Sequence, residues 1–219
     1  MNAIQQQRDY YEKYWTDGHT QYSGDNQGYA ANLRKWMHAQ LQEIARDAAI
    51  LEVGCGDGSF TRNLAEHSSR VTAVDISASQ IERNSRAHPE IQFVQHDVAQ
   101  PFPFANEAFD VIWCSEVLEH LFDPGLALLE MQRVLARGGR LLVTVPYHGV
   151  IKDVLISLFK WDEHFSPANP HIRFFTRKTL SQLAVSAGFV EIETTTCGMN
   201  KPLRDLLVAT NILLTARKR

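Results

Sequence analysis

An acidic residue followed by three alternating glycines is the feature of this sequence with the clearest chemical meaning. The stretch from Glu52 to Ser59 reads EVGCGDGS and continues a short apolar run. Glycine allows backbone angles that other residues avoid, and it lets a ligand approach the main chain closely. A helix that begins after the glycines would offer unpaired N–H groups and a partial positive charge. The alternative is a plain tight turn between a strand and a helix, but three glycines behind an acid favour a ligand-binding turn.

The spacing of the glycines distinguishes between two kinds of nucleotide-like ligand. A dinucleotide site has the pattern G-x-G-x-x-G/A, with a pyrophosphate at the start of the helix. Here the third glycine, Gly58, comes one position early, and Ser59 occupies the expected place. The carboxylate of Glu52 would repel a pyrophosphate, whereas it would tolerate an ammonium group. The motif therefore predicts a ligand with a cationic amino-acid end.

Two further carboxylates follow the next two predicted strands. Asp75 is spaced from the glycines so that it could accept hydrogen bonds from both hydroxyls of a ribose. Asp97 is placed to accept from an adenine amino group, with Ile76 and Val98 packing on the faces of the ring. The alternatives are that Asp75 caps the helix after it and that Asp97 is a surface turn residue. Acids at the ends of three consecutive strands favour the binding roles.

Strands and helices alternate through the middle of the chain. The predicted strands are 49–53, 70–74, 91–95, 109–114 and 140–145, and the predicted helices between them are 60–67, 78–87 and 126–135. Near-continuous apolar strands that alternate with helices are typical of parallel sheets covered on both faces. The expected fold class is α/β: a Rossmann-like doubly wound sheet, mostly parallel with an antiparallel late strand.

The two ends of the chain depart from this alternation. The sequence predicts helices at 5–15 and 29–46 joined by a polar loop, and after residue 147 it predicts a helix at 150–159, a loop at 160–171, a helix at 177–187 and strands at 190–196 and 211–216. Thr176 is the predicted N-cap of the helix at 177–187, and Gly188 is its predicted stop.

Taken together, the motifs resemble those of a known family. The glycine-rich stretch and the two aspartates after it resemble the cofactor motifs of class I S-adenosylmethionine-dependent methyltransferases. The stretch FDVIWCSEVLEH, from Phe109 to His120, resembles the fourth-strand motif of the small-molecule branch, and LARGGRLL, from Leu135 to Leu142, resembles the motif entering the fifth strand. The resemblance covers roughly residues 34–189 and is nearest to the ubiquinone-biosynthesis O-methyltransferase-like group. It implies S-adenosylmethionine as cofactor.

The resemblance also implies contacts for individual residues. Gly54 and Gly56 would line the methionine end of the cofactor, and Ser115 would touch it beside the methyl group. Arg34 lies where that group has an arginine that pairs with the methionine carboxylate; the alternative is an ordinary exposed helix arginine. The complete predicted cofactor set is Arg34, Glu52, Gly54, Gly56, Asp75, Ile76, Asp97, Val98 and Ser115.

The acceptor side has weaker signals. The aromatic residues Tyr10, Tyr11, Tyr14 and Trp15 are either a lid over the cofactor or a stripe that packs on the domain. His164 and His171 lie in a loop among aromatic residues, and a histidine is a natural base for a hydroxyl acceptor near neutral pH. The resemblance implies O-methylation of a small molecule, and we predict His164 or His171 as the base, with no metal ion. The alternative is that both histidines are solvated surface residues.

One domain is expected over residues 1–219. Residues 1–28 would form a lid-like segment and residues 147–175 an insertion, both covering the acceptor side, because ligands of open α/β sheets lie beyond the carboxyl ends of the strands. Two other functions stay open: a non-catalytic module that binds S-adenosylmethionine, and an NAD(P)-dependent oxidoreductase, which the glycine spacing disfavours.

Composition limits the partners. The chain has 219 residues, 44% of them hydrophobic and 21% charged, and a net charge of −3. A long nucleic acid is disfavoured because phosphate contacts need a basic surface, and the Asn-Pro-Pro-Tyr type of base-methylation motif is absent after the fourth strand. Three cysteines suit a reducing compartment. The sequence shows no apolar signal core and no apolar run of the ~18 residues that span a bilayer. We expect a cytoplasmic protein; its oligomeric state stays open.

Overall fold

The structure is a computed structural model that describes residues 3–16, 28–166, 169–199, 205 and 208–219. Residues 17–27 of the predicted N-terminal loop lie outside the described residues, and so do residues 167–168 of the predicted loop at 160–171.

The elements in the described ranges follow the predicted order closely. They are α1 (Ala3–Thr16), α2 (Gly28–Leu41), β1 (Ala49–Val53), α3 (Ser59–Ala65), β2 (Arg70–Asp75), α4 (Ala78–Ala87), β3 (Gln92–Gln95), β4 (Phe109–Ser115), a 3₁₀ turn (Leu118–His120), α5 (Pro124–Val134), β5 (Leu135–Pro146), α6 (Val150–Phe159), α7 (Trp161–His164), α8 (Arg177–Ser186), β6 (Phe189–Cys197) and β7 (Asn211–Lys218).

The strands form one sheet in the order β3-β2-β1-β4-β5-β7-β6. Strands β1 to β5 pair in parallel, whereas β7 runs antiparallel to both of its neighbours, β5 and β6. The predicted mostly parallel sheet with an antiparallel late strand is therefore confirmed. The chain leaves β1 toward β2 on one side, and β4 lies on its other side, so the carboxyl end of β1 opens on the crevice where such sheets bind ligands.

Helices cover both faces of the sheet. Because successive side chains of a strand point to opposite faces, each buried strand contributes residues to both apolar clusters. In β4, Val111 and Trp113 belong to the apolar cluster that contains α2 and α3 residues such as Leu33 and Leu64. Ile112, from the same strand, belongs to the cluster that contains residues of α5 and α8. The central strands are thus buried on both sides, which explains their near-continuous apolar sequence.

Local signals explain most helix ends. The Thr176 side chain accepts from the backbone N–H of Thr179, and the Thr179 side chain accepts in turn from the backbone N–H of Thr176, so this predicted cap of α8 is present. Several bounds differ from the prediction, and α2 for example ends at Leu41 instead of at residue 46. Leu135 pairs with Phe109 at the start of β5 instead of ending α5, and α7 forms one short turn within the predicted loop at 160–171.

The helix α6 has no buried residues. Its apolar side chains are exposed, and Val150 and Phe159 are the most exposed of them, at 82% and 78%. None of the described helices has both the length and the apolar character that a membrane span requires.

Candidate functional site

The glycine-rich turn lies at the carboxyl ends of β1 and β2. The N–H groups of Gly54 and Cys55 both donate to the carbonyl of Val74 at the end of β2, at 2.8 and 3.0 Å. Gly54 has a φ of +77°, and a Cβ atom there would lie 2.4 Å from Cγ2 of Val117. The turn therefore requires glycine at this position for both backbone angle and space.

Glu52 is buried below the turn. Only 2% of it is exposed, and its Oε2 accepts a hydrogen bond from the Thr61 hydroxyl. Burial raises the pKa of Glu52 to about 8, and the nearby carboxyls of Asp57 and Asp75 act in the same direction. A neighbouring cation would favour the charged form of this carboxyl.

Asp75 is buried at the end of β2, beside the turn. Its Oδ2 accepts from the N–H of Gly56 at 2.8 Å, and its Oδ1 accepts from the N–H of Ser77 at 2.9 Å. The side chain of Ser77 is the N-cap of α4, so Asp75 supports that helix without being its cap. Each oxygen of an ionised carboxyl accepts about two hydrogen bonds, so both keep capacity for a ligand hydroxyl.

All of the predicted cofactor residues except Arg34 line one pocket, which also contains the glycine-rich turn. Asp97 follows β3, and its Oδ1 accepts from the N–H of Ala99 at 2.9 Å. Ser115, at the end of β4, exchanges a hydrogen bond with Thr144 at 2.8 Å. The pocket is lined by Tyr10, Tyr11, Tyr14, Trp15, Glu52, Gly54, Cys55, Gly56, Asp57, Ser59, Phe60, Asp75, Ile76, Asp97, Val98, Ser115, Glu116, Val117, His120, Leu121, Pro170 and His171.

Arg34 is the exception. Its guanidinium lies over the ring of Phe60, 5.5 Å from the ring centre, and Phe60 lines the pocket while Arg34 does not. A cation over an aromatic face is favourable. The structure therefore places Arg34 against a residue of the lining but not among the lining residues.

The helix α1 covers the pocket and is tied to the start of α4. Trp15 lies over Gly56, where an added Cβ would be 2.7 Å from its Cζ2. The carboxylate of Glu12 accepts from the N–H groups of Ala78 and Ser79 and from the hydroxyl of Ser77. These hydrogen bonds lower the pKa of Glu12 despite the opposing effect of burial. A carboxylate at a helix N-terminus is a favourable contact.

The structure separates the two predicted histidines. His171 lines the pocket, with its ring centre 4.8 Å from that of His120. His164 is not among the lining residues and packs between His148 and Phe165, with ring centres at 5.4 and 4.9 Å. Burial lowers the pKa of both His171 and His164. Of residues 147–175, those described on the pocket are Pro170 and His171.

Two acids of the pocket region, Glu116 and Glu119, were not identified by the sequence reasoning, and His120 beside them was considered there only as one of several histidines that could act as base. Glu116 has a φ of +56°, uncommon outside glycine. Its Oε1 accepts from Thr144 at 2.9 Å and from Asn211 at 2.7 Å, while burial raises its pKa to about 7. Glu119 is 1% exposed, and burial raises its pKa; burial lowers that of His120 to about 4. The signal was present: two acids and a histidine follow β4 within an otherwise apolar stretch.

Acidic side chains outnumber basic ones around the pocket. Among the described residues that line it, five carry carboxyl groups and none is lysine or arginine. The five are Glu52, Asp57, Asp75, Asp97 and Glu116. Such a pocket favours a ligand that carries positive charge and disfavours one that carries a diphosphate.

Comparisons with known proteins agree with this chemistry. A family described as "Methyltransferase domain" matches residues 26–194. The chain is 30% identical, over 74% of its length and 55% of the relative's, to a protein of Mycobacterium tuberculosis named a probable S-adenosylmethionine-dependent methyltransferase. It is 31% identical, over 78% of its length and 62% of the relative's, to a malonyl-[acyl-carrier protein] O-methyltransferase of Herminiimonas arsenicoxydans. The chain thus spans less than two thirds of the length of these relatives.

A solved structure shows the same fold. It is phosphoethanolamine N-methyltransferase 2 of Haemonchus contortus in complex with S-adenosyl-L-methionine, which superposes with a TM-score of 0.68 at 16% identity. The match covers 95% of this chain and 60% of that one. At this identity the likeness concerns the fold alone.

Proposed function

Since this chain belongs to the methyltransferase domain family, we propose that it uses S-adenosylmethionine to methylate a hydroxyl oxygen of a small molecule. The observation that carries the cofactor assignment is the pocket of five carboxyl groups without a lysine or arginine among its described lining residues. S-adenosylmethionine has an ammonium group and a sulfonium centre. A dinucleotide instead has a pyrophosphate, which these carboxyls would repel, so the oxidoreductase alternative is disfavoured further.

The residues present fit this cofactor. Asp75 offers two buried carboxylate oxygens for the ribose hydroxyls, and Asp97 offers an acceptor for the adenine amino group between Ile76 and Val98. Glu52 offers the negative charge for the ammonium group. We assign Arg34 a supporting role behind Phe60, since its guanidinium lies on that ring and outside the lining.

The cofactor, when bound, supplies an activated methyl group, so the chain's own residues have to bind and align the two reactants. The turn from Gly54 to Gly58 and Ser115 would hold the methionine end. The helix α1 would close the pocket against water, with Trp15 over Gly56 and with Glu12 tied to α4. We therefore propose that α1 is the lid-like part of residues 1–28.

The acceptor would lie on the side of the pocket that His120, Pro170 and His171 line. Of the two histidines considered as base, His171 is the one we propose to face the acceptor, because His164 packs outside the lining residues. A small-molecule oxygen acceptor is supported by the resemblance of the sequence motifs to O-methyltransferases and by the O-methyltransferase among the relatives. The insertion over residues 147–175 would contribute through its end at Pro170 and His171.

The experiment that tests this function follows the methyl group. Purified protein is incubated with S-adenosylmethionine labelled in its methyl group and with the small-molecule fraction of a cell extract. We expect labelled small molecules whose methyl carbon is bonded to oxygen, as read by mass spectrometry and NMR. A protein heated beforehand is the control.

Other outcomes would change the proposal in defined ways. Parallel incubations contain nucleic acid or protein instead of the small-molecule fraction, and label found only in these would contradict a small-molecule acceptor. Label on nitrogen, sulfur or carbon would contradict O-methylation. Label in no fraction, from a protein that binds the cofactor, would favour the non-catalytic binding module.

A further inference from the structure

Three side chains with metal-binding chemistry meet at the acceptor end of the pocket. They are Glu119 and His120, in the 3₁₀ turn after β4, and His171, which comes from the segment before α8. Each offers one donor atom, and the three donor atoms all lie within 4.8 Å of one another. His120 and His171 also line the pocket, so an ion held between them would be in contact with its contents.

Glu119 is the most unusual of the three. Its side chain is 1% exposed, and neither Oε1 nor Oε2 has a hydrogen-bond partner in the described structure. A buried carboxyl group without hydrogen-bond partners is costly, and buried charged groups in proteins are paired or bind a metal ion. The donor atoms of Glu119 and the two histidines lie close enough together for one positively charged ion to contact all three.

The backbone holds this arrangement together across a long stretch of chain. The carbonyl oxygen of Glu119 accepts from the N–H groups of Ile172 and Arg173, at 2.9 and 3.0 Å. These two bonds fix the segment with His171 beside the turn with His120. The convergence of the three side chains is therefore built into the fold.

One ring nitrogen of His120 lies near a backbone carbonyl and the other lies toward Glu119. Its Nδ1 lies 3.2 Å from the carbonyl oxygen of Pro170. A carbonyl oxygen can only accept, so Nδ1 carries the hydrogen, and Nε2 of the neutral ring carries the lone pair. That Nε2 lies 3.7 Å from Oε1 of Glu119. Histidines that bind a metal ion through one ring nitrogen usually donate the N–H of the other nitrogen to a carbonyl or carboxylate oxygen, because that hydrogen bond fixes the tautomer and orients the ring.

We propose that Glu119, His120 and His171 bind one divalent transition-metal ion, which holds the oxygen of the methyl acceptor. Two imidazoles and one carboxylate suit ions such as Zn²⁺ or Mn²⁺, and they disfavour Mg²⁺, which prefers oxygen ligands. Three protein ligands leave an open position for a further oxygen. The role assigned to the ion rests on the proposed function, whereas the binding of the ion does not.

The ion would take the place of a base in the reaction. A hydroxyl oxygen bound to it loses its proton more readily, and the proton leaves to solvent. The oxygen then forms the new C–O bond while the C–S bond of the cofactor breaks, with its electron pair remaining on sulfur. His171 would accordingly act as a ligand and would not need to accept a proton.

The test measures ion binding apart from any reaction. The full chain is freed of metal with a chelator and dialysed, then titrated separately with Zn²⁺, Mn²⁺ and Mg²⁺ in a calorimeter. We expect one site per chain for Zn²⁺ or Mn²⁺ and markedly weaker binding of Mg²⁺. Glu119→Gln and His171→Ala should each lower the affinity for the preferred ion by at least about 10–100-fold, the loss that removal of an outer-shell partner alone causes.

His164→Ala is the matched control, since it removes a half-buried histidine outside the cluster and should leave the affinity unchanged. Glu119→Gln preserves side-chain volume, and its folding is checked by thermal unfolding. The proposal is overturned if the parent shows no one-to-one site, or if the Glu119 and His171 variants bind as tightly as the parent. If the chain binds S-adenosylmethionine but no ion, this inference alone is contradicted. If it binds the ion but not S-adenosylmethionine, the proposed function alone is contradicted.

Discussion

Replacing Asp75 by alanine is expected to weaken the binding of S-adenosylmethionine by at least about a hundredfold. A hydrogen bond to a charged group is worth about 1.5–3 kcal/mol, and every 1.4 kcal/mol is a factor of ten. The proposed site has two such bonds, one from each ribose hydroxyl. Isothermal titration of parent and variant with the cofactor measures the ratio directly.

The design of this experiment has to separate binding from folding, because Asp75 also accepts from the N–H groups of Gly56 and Ser77. Asp110→Ala is the matched control: the Asp110 carboxylate accepts from the N–H of Ala49 at 2.8 Å, at the other end of β1. The Asp110 variant also loses a hydrogen bond between a carboxylate and a backbone N–H group, but Asp110 does not line the pocket. A well-folded Asp75 variant that binds the cofactor like the parent would show that the ribose assignment is wrong.

The second large effect is a pH dependence of cofactor binding that arises from Glu52. Its pKa is raised to about 8, so the group is mostly protonated at pH 6, and an ammonium ligand needs the ionised form. The dissociation constant of S-adenosylmethionine should therefore fall as the pH rises from about 6 to 7.5, by up to about tenfold per pH unit. Glu52→Gln keeps an acceptor for the Thr61 hydroxyl but cannot ionise, so it should abolish most of this slope.

The same pKa has the opposite consequence for the stability of the ligand-free protein. A carboxyl whose pKa is higher in the folded than in the unfolded state binds more protons when folded, so its contribution favours the folded state at low pH and is lost as the pH rises toward 8. Glu66→Gln, an exposed change at the end of α3, is the control for both measurements. A parent whose cofactor affinity is flat over this range, or a Glu52→Gln variant that keeps the slope, would contradict the role of Glu52.

The cofactor half of the pocket was predictable because its residues follow strand ends along a short stretch of chain. Gly54, Asp75, Asp97 and Ser115 each end or follow a strand whose apolar sequence is unmistakable. In a parallel sheet those ends meet at one edge, so local signals are enough to bring the residues together.

The acceptor half depends on contacts between distant parts of the chain. His171 reaches His120 because the carbonyl of Glu119 accepts from the two N–H groups that follow His171, and no local pattern encodes those bonds. The same limit explains why His164, which precedes His171 in the same loop among similar aromatic neighbours, was considered equally. Likewise Leu135 suits a helix end or a strand start, and its pairing with Phe109 decides in favour of the strand.

The central claim is that the pocket binds S-adenosylmethionine and not a dinucleotide. The most direct test is calorimetric titration of the purified chain with S-adenosylmethionine, with its demethylated product and with NAD, under one set of conditions. We expect one site per chain with micromolar dissociation constants for the first two ligands and no measurable heat from NAD. Tight binding of NAD together with no binding of S-adenosylmethionine would contradict the account.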